Sequence, residues 1–419
     1  MEPNILSILP FIALLLSIAI LPLAAPKFWH ENYHFVSLGL GFITTVYYLL
    51  ITKGWNILHS VEEYVMFISL LAALYIISGG ILIEIKGLAT PFRNTVLLAL
   101  GALLANVIGT TGASMLLIRP FIKTNKMRIT NFHIVFFIFI VSNVGGALTP
   151  IGDPPLFLGY LKGIPFFWVI DKVFLKWLSA IIILLILFFI FDYVNFKKQP
   201  AEIEELEIKT HEKVKITGSY NFIFLLVVIG SVFITEPLFL REAIMLSAAF
   251  ASYKLTKKEI HLRNHFNFFP IKEVAWLFIG IFITMTPALE LLRSHSASLG
   301  INSPTQYYWF TGGLSAFLDN APTYLAFLTA SMGIYGLDIN QITDVLNFIA
   351  QHEKHVVAIS ISSVFFGAMT YIGNGPNFMV KSVADHQDVE TPGFAGYLFK
   401  FALPILIPIY ALIWWIFIA

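Results

Sequence analysis

The sequence predicts an all-α polytopic membrane protein, built from two inverted-topology repeats that each hold a re-entrant hairpin and a broken transmembrane helix. Three observations carry this. Of 419 residues, 58% are hydrophobic and only 12% are charged, against about 25% charged in a soluble domain. Apolar runs long enough to span a bilayer recur along the chain. A short polar motif occurs twice, once in each half.

The apolar runs lie near 4–24, 34–52, 64–83, 172–195, 220–235, 239–255, 273–292 and 396–418. The N-terminal stretch has neither the basic n-region nor the small-residue cleavage site of a signal peptide, so it is expected to be a retained first span. Two further regions, 94–162 and 305–388, are apolar but interrupted in mid-run by Gly, Pro, Asn, Thr and Asp. In a bilayer such breaks are tolerated only where protein or water satisfies the freed backbone. They are the trace of discontinuous helices and re-entrant hairpins. The mixed charges and Pro200 of 197–217 mark a solvated linker. The expected division is 1–60 as N-terminal transmembrane helices, 61–196 as the first repeat, 197–218 as a cytoplasmic linker and 219–419 as the second repeat.

The repeated motif is Thr149-Pro150-Ile151-Gly152-Asp153-Pro154-Pro155-Leu156-Phe157 against Thr370-Tyr371-Ile372-Gly373-Asn374-Gly375-Pro376-Asn377-Phe378. Aligned without gaps, Thr, Ile, Gly, one Pro and Phe coincide, and Asp153 faces Asn374. Upstream of each sits another break: Asn106-Val107-Ile108-Gly109-Thr110-Thr111-Gly112 in one half, Asp319-Asn320-Ala321-Pro322-Thr323 in the other. A fainter match, Gly80-Ile81 against Gly280-Ile281, opens the two units. Charge predicts that the units are inverted. Arg119, Lys123, Lys126 and Arg128 follow the first break with no acid among them, so that segment is expected in the cytoplasm. Asp338, Asp344 and Glu353 follow the second and are expected outside. The linker and Lys254, Lys257, Lys258 and Arg263 fall inside on this threading. So does the loop 386–395, although it is less basic.

Chemistry gathers at the breaks. A broken helix leaves unpaired N–H groups at one half and unpaired C=O groups at the other, with partial charges of opposite sign. Paired breaks near the midplane thus build an ion site from few formal charges. The expected ion or substrate ligands are Asn106, Thr110, Thr111, Asn143, Thr149, Gly152, Asp153, Asp319, Asn320, Thr323, Thr370, Gly373, Asn374 and Asn377. Asn106, Asp153, Asp319 and Asn320 are the candidates for sodium, a hard cation suited to oxygen ligands. Asp153 and Asp319 are the candidates for proton coupling, because an acid inside a membrane marks function by default. Each also stands where it would N-cap a half-helix, Asp319 ahead of Pro322 and Asp153 ahead of Pro154.

Other polar residues read as structural. Glu84 beside Lys86, and Glu290 beside Arg293, sit near span ends and suit interfacial snorkelling. Arg119 belongs with the basic cluster that sets topology. His352-Glu353-Lys354-His355 lacks zinc-protease spacing. A net charge of +1 leaves no electrostatic footprint for nucleic acid. The absence of Cys excludes disulfides and thiolate chemistry. No cofactor is expected beyond sodium and protons as transported or coupling ions.

The stretches 106–120, 142–155 and 319–323 resemble the ion transporter superfamily. It includes NhaD-type sodium/proton antiporters, arsenite permeases, and citrate and dicarboxylate carriers. The resemblance runs from about residue 60 to 419 and is nearest to the NhaD-like antiporters with a citrate-transporter-like domain. It implies a multi-pass protein of the cell inner membrane, two inverted units, and a homodimer in the bilayer. In the dicarboxylate carriers each hairpin tip reads Ser-Asn-Thr and binds sodium and carboxylate. Here the tips read Ile108-Gly109-Thr110 and Asp319-Asn320-Ala321, so only Thr110 and Asn320 match. The leading expectation is sodium/proton antiport by alternating access, and no enzymatic activity. The alternative is a sodium- or proton-coupled carrier of citrate, another small anion or arsenite. A membrane-embedded aspartyl enzyme would need Asp153 and Asp319 as a catalytic dyad, yet symmetric Asn, Thr and Gly breaks serve no hydrolysis.

Overall fold

The computed structural model describes residues 3–51, 55–199 and 213–419. Among them are eight helices long and apolar enough to cross a membrane, and one two-stranded sheet. The chain is a polytopic all-α membrane protein.

By length alone, the 34 residues of Pro91–Thr124 form one of those spans. A straight helix of that length would hold its ends about 50 Å apart. Here the ends touch. Ala89 N donates to Thr124 O at 3.1 Å, and the Asn94 and Asn125 amides donate to each other at 2.7 and 2.8 Å. The chain reverses at Gly109, whose φ of 76° and ψ of 156° interrupt the helix. That region is nearly closed to residues with a Cβ. The segment is therefore a helical hairpin that enters and leaves at one face. A second hairpin joins Pro304–Ser315 to Asn320–Gly333, with the rings of Tyr307 and Phe327 packed edge-on across its arms at 6.3 Å.

After each hairpin comes a helix that stops short. Asn131–Ile140 gives way to the 3-10 turn Val144–Leu148, an extended stretch and the half-helix Pro154–Leu161. Glu353–Phe366 does the same through Gly367–Met369 and Gly375–Asp385. Matching bonds hold both loops. Thr149 Oγ1 donates to Asn106 O at 2.7 Å, and Thr370 Oγ1 donates to Ala316 O at 2.6 Å. Each threonine oxygen also accepts from the glycine three residues on, at 3.2 Å from Gly152 N and 3.1 Å from Gly373 N. A Cβ on Gly152 would stand 2.1 Å from Gly146 O, and one on Gly373 2.7 Å from Gly367 O. Only glycine fits either place.

Beside this core, Leu9–Ala24, Pro26–Ile51 and Trp55–Gly79 pack with Asn221–Ser231, Leu240–Leu255 and Phe269–His295 into a frame. Ser37 Oγ donates to Trp276 O at 2.6 Å, and Tyr64 Oη to Ala275 O at 2.9 Å. The frame departs from the sequence expectation in several places. The expected span 220–235 ends as helix at Ser231, while 239–255 is the helix Leu240–Leu255; between them stands Pro237, which cannot donate into a helical ladder. The run 64–83 ends as helix at Gly79, and Leu82–Lys86 pairs antiparallel with Lys213–Thr217. Glu84 lies on that strand, paired with Arg263, and does not snorkel from a span end. Of the expected linker, 200–212 lies outside the described residues, while 213–217 is strand and not free coil. The Gly80/Gly280 match has no structural counterpart. Gly80 turns beside Asn221, whereas Gly280 sits inside Phe269–His295 against Ser37.

Candidate functional site

The two hairpin tips and the two loops meet at Asp153, which is 1% exposed. Its Oδ1 accepts from Thr110 Oγ1 at 2.7 Å and from Asn374 Nδ2 at 3.1 Å, and its Oδ2 accepts from Asn320 Nδ2 at 2.5 Å. Thr110 follows the first tip, Asn320 the second, and Asn374 holds the place of Asp153 in the second loop. One carboxylate thus ties together four segments, one of its partners lying 221 residues away in the chain. The backbone joins in where Thr110 N donates to Gly152 O at 2.9 Å.

The two acids differ in local role. Asp319 is a working N-cap, its Oδ1 accepting from Ala321 N at 3.0 Å. Asp153 occupies the N-cap position of Pro154–Leu161 but makes no side-chain cap bond. Pro154 and Pro155 fill the first two helical positions and have no N–H, so the second-position donor that a capping side chain would bond is absent. The Asp153 carboxylate is left to face the other three segments. Asp319 stands next in the chain to Asn320, which bonds Asp153.

A cavity of about 1420 Å³ leads to this place. Of the expected ligands, Thr110, Thr111, Gly152, Asp319, Asn320 and Asn374 line it. The others stand behind. Asn106 is committed to backbone, donating to Ala102 O and Gly145 O at 2.9 and 2.7 Å and accepting from Leu148 N and Thr149 N at 3.0 and 3.2 Å. Asn143 donates to Asn377 Oδ1 at 2.6 Å and accepts from Asn374 Nδ2 at 3.2 Å. Asn377 donates to Gly367 O and Thr370 O at 2.8 and 2.9 Å. Thr323 Oγ1 returns to Asp319 O at 2.8 Å, while the hydroxyls of Thr149 and Thr370 hold the loops and Gly373 gives its loop room to turn. Seven of the fourteen therefore position the remainder, and Asp153 itself stands just behind the cavity wall, between the lining residues Gly152 and Pro154.

At the site end of the cavity the oxygens belong to the Asp319 carboxylate, threonines and asparagine amides. Among the described residues, no set of three His, Asp or Glu is placed to hold a metal ion. Nor does any basic side chain pair with Asp153 or Asp319 among them. Arg119 lines the cavity but lies ten residues beyond the Gly109 tip, about 15 Å along the helix. With it are Lys123, Lys126, Arg263 and His386, toward the mouth. The segments expected on the cytoplasmic side, including the end of Leu240–Leu255 and the loop after Gly375–Asp385, gather at this one face.

Sequence reasoning missed a second buried charge cluster. Asp192 is fully buried in Phe166–Lys197, where it pairs with Arg128 and accepts from Asn94 Nδ2 at 2.7 Å, with His133 Nε2 at 3.0 Å. Arg128, expected among free topological charges, is buried here and ties the foot of the first hairpin to this helix. The signal was a lone acid in the apolar run 172–195, by the same rule that marks Asp153. Arg293 was likewise read with Glu290; it pairs with Asp338.

No curated protein matches the chain. A family model described as "Putative citrate transport" matches residues 2–418. That match covers both hairpins, both broken helices and the frame, and the chain belongs to this citrate transport family.

Proposed function

We propose that the protein is a sodium/proton antiporter, a secondary transporter that works by alternating access at Asp153. The observation that carries this is the convergence of four segments on one buried carboxylate, with a second acid at the neighbouring tip and, among the described residues, no basic side chain paired with either. A carboxylate that holds either a proton or a cation, but not both, couples the two flows. Thr110, Asn320 and Asn374 supply neutral groups that can turn from donor to oxygen ligand, because each carries both functions. Asp319 adds charge at the second tip. The N-termini of the half-helices are partially positive, so without the acids the site would favour an anion.

Two units of inverted topology fit this reading. On this reading both hairpin tips reach the same depth from opposite faces; the loops share their Thr and Gly bonds. In the cell membrane the basic face is the cytoplasmic one by the positive-inside rule, and the cavity opens there. Sodium and protons are the only ions the reading requires.

A second reading has specific support. A cavity of about 1420 Å³ is larger than a bare ion needs, its mouth is basic, and the family is described by citrate. Coupled uptake of a small anion would place the anion toward Arg119 and leave sodium or a proton at Asp153. Inverted vesicles carrying a pH-sensitive dye separate the two. Sodium and lithium should collapse an imposed pH gradient, and Asp153→Asn and Asp319→Asn should abolish the response. Apparent sodium affinity should fall as pH falls, since protons compete for the same oxygens. A gradient that stays intact with sodium and lithium from mildly acidic to alkaline pH, in well-expressed protein, would replace this reading with the anion carrier.

A further inference from the structure

A polar knot closes the face opposite the cavity. Lys162 ends the half-helix that starts beside Asp153, and Nζ donates to Glu63 Oε1 at 2.5 Å and Asn340 Oδ1 at 2.7 Å. Its side chain is 5% exposed and that of Glu63 12%. His59 joins through Nε2, 3.1 Å from the same Glu63 oxygen, and is itself open to solvent. Three separate parts of the chain meet here: the frame helix Trp55–Gly79, the first broken helix, and the loop that follows the second hairpin.

The position along Trp55–Gly79 fixes the face. Leu71, Leu74 and Tyr75 of this helix line the cavity. Glu63 lies twelve residues before Tyr75, about 18 Å away along the axis. The knot and the cavity therefore occupy opposite ends of the same helix. Between Glu63 and the site lies an apolar layer. Phe67, one turn below Glu63, packs on Phe157, one turn past Asp153, with ring centroids 6.4 Å apart, and stacks on Phe278 at 4.8 Å. Phe67 and Phe157 are buried. A path from Asp153 along the half-helix Pro154–Leu161 to that face runs between Phe67 and Phe157 and then between Lys162 and Glu63.

We infer that the Lys162–Glu63–Asn340 knot, backed by the Phe67–Phe157 layer, is the gate that keeps the far face shut while the cavity is open. Lys162 is a buried cation whose partners sit on two other segments, so its contacts must break when core and frame separate. A buried ion pair is costly to leave half-made. The gate thus opens as a unit or not at all. It rests on the alternating-access reading but not on the identity of the ion, since either cargo would need the same face sealed.

The test reads conformation, not transport. The chain has no Cys, so Ser382→Cys, in the cavity wall, is a single reporter. Its maleimide labelling rate is measured in purified, detergent-solubilised protein. Glu63→Gln and Lys162→Met should each lower the rate at least threefold, as the closed-cavity state gains population, and the milder Asn340→Ala should lower it less. The reversed pair Glu63→Lys with Lys162→Glu should restore it toward the parent rate. Rates within experimental error of the parent for all three single variants, each running as the same monodisperse species, would overturn the gate. A second measurement covers variants that do not fold. A reducible bifunctional thiol reagent joining Glu63→Cys to Lys162→Cys should block exchange in vesicles and release it on reduction, and full exchange with the crosslink formed would also overturn the proposal. Loss of sodium response in the parent protein would instead strike the antiporter reading and leave the labelling result standing.

Discussion

At the scale of residues, Asp153 and Asp319 look alike in the sequence, each an acid before a proline-containing half-helix. The structure divides them by what their oxygens touch: Ala321 N for Asp319, and Thr110, Asn320 and Asn374 for Asp153. Asn caps as well as Asp. Asp319→Asn should therefore change thermal stability by no more than about 0.5 kcal/mol while removing the second charge from the site. Asp319→Ala should cost about 1 kcal/mol more, from the lost cap. Melting in detergent beside vesicle exchange distinguishes the two effects. Asn106 predicts the reverse pattern. Asn106→Ala orphans the N–H groups of Leu148 and Thr149, and an unsatisfied buried donor costs about 1–3 kcal/mol. A loss of stability of that size is expected, with residual exchange in whatever folds. The sequence made the type of chemistry legible, because oxygen-bearing residues inside apolar runs are few. It did not separate ligands from supports, since both are Asn and Thr, and only the geometry shows whose oxygens are already used.

At the scale of elements, both hairpins and both broken helices were legible, and for one reason. The loop geometry imposes Thr three residues before Gly in each half, so the backbone bond pattern leaves a trace in sequence. The same geometry predicts the effect of added methyl groups. Gly152→Ala would press Cβ to 2.1 Å from Gly146 O, and such overpacking costs about 1–3 kcal/mol. Gly375→Ala, two residues past the equivalent Gly373, would meet nothing within 4 Å and should leave melting and exchange unchanged. Equal sensitivity at the two positions would show that the loops are not held as described. Elements whose limits depend on distant partners were less legible. The strand Leu82–Lys86 reads as the tail of a span until its partner Lys213–Thr217 is known. Helix Ile342–Gln351 lies in what reads as an outer loop.

At the scale of the whole molecule, basic segments distant in sequence collect around the cavity mouth, and the acidic segment 338–353 lies at the other end beside Lys162. Charge asymmetry foretold this grouping because topology is written in short loops. The packing of the frame against the core was not foretold, since lipid-facing and protein-facing residues are equally apolar. Lys126→Cys and Asp344→Cys should label from opposite sides of the membrane, and labelling from the same side would contradict the proposed inverted arrangement. The central claim is that Asp153 carries a cation in exchange for protons. It is tested most directly by flux in proteoliposomes, with sodium, lithium, citrate and arsenite compared side by side for the parent protein and Asp153→Asn. The account predicts sodium and lithium movement with proton counterflow in the parent, lost in Asp153→Asn, and no uptake of citrate or arsenite; robust citrate or arsenite uptake with no sodium- or lithium-driven proton movement would contradict it.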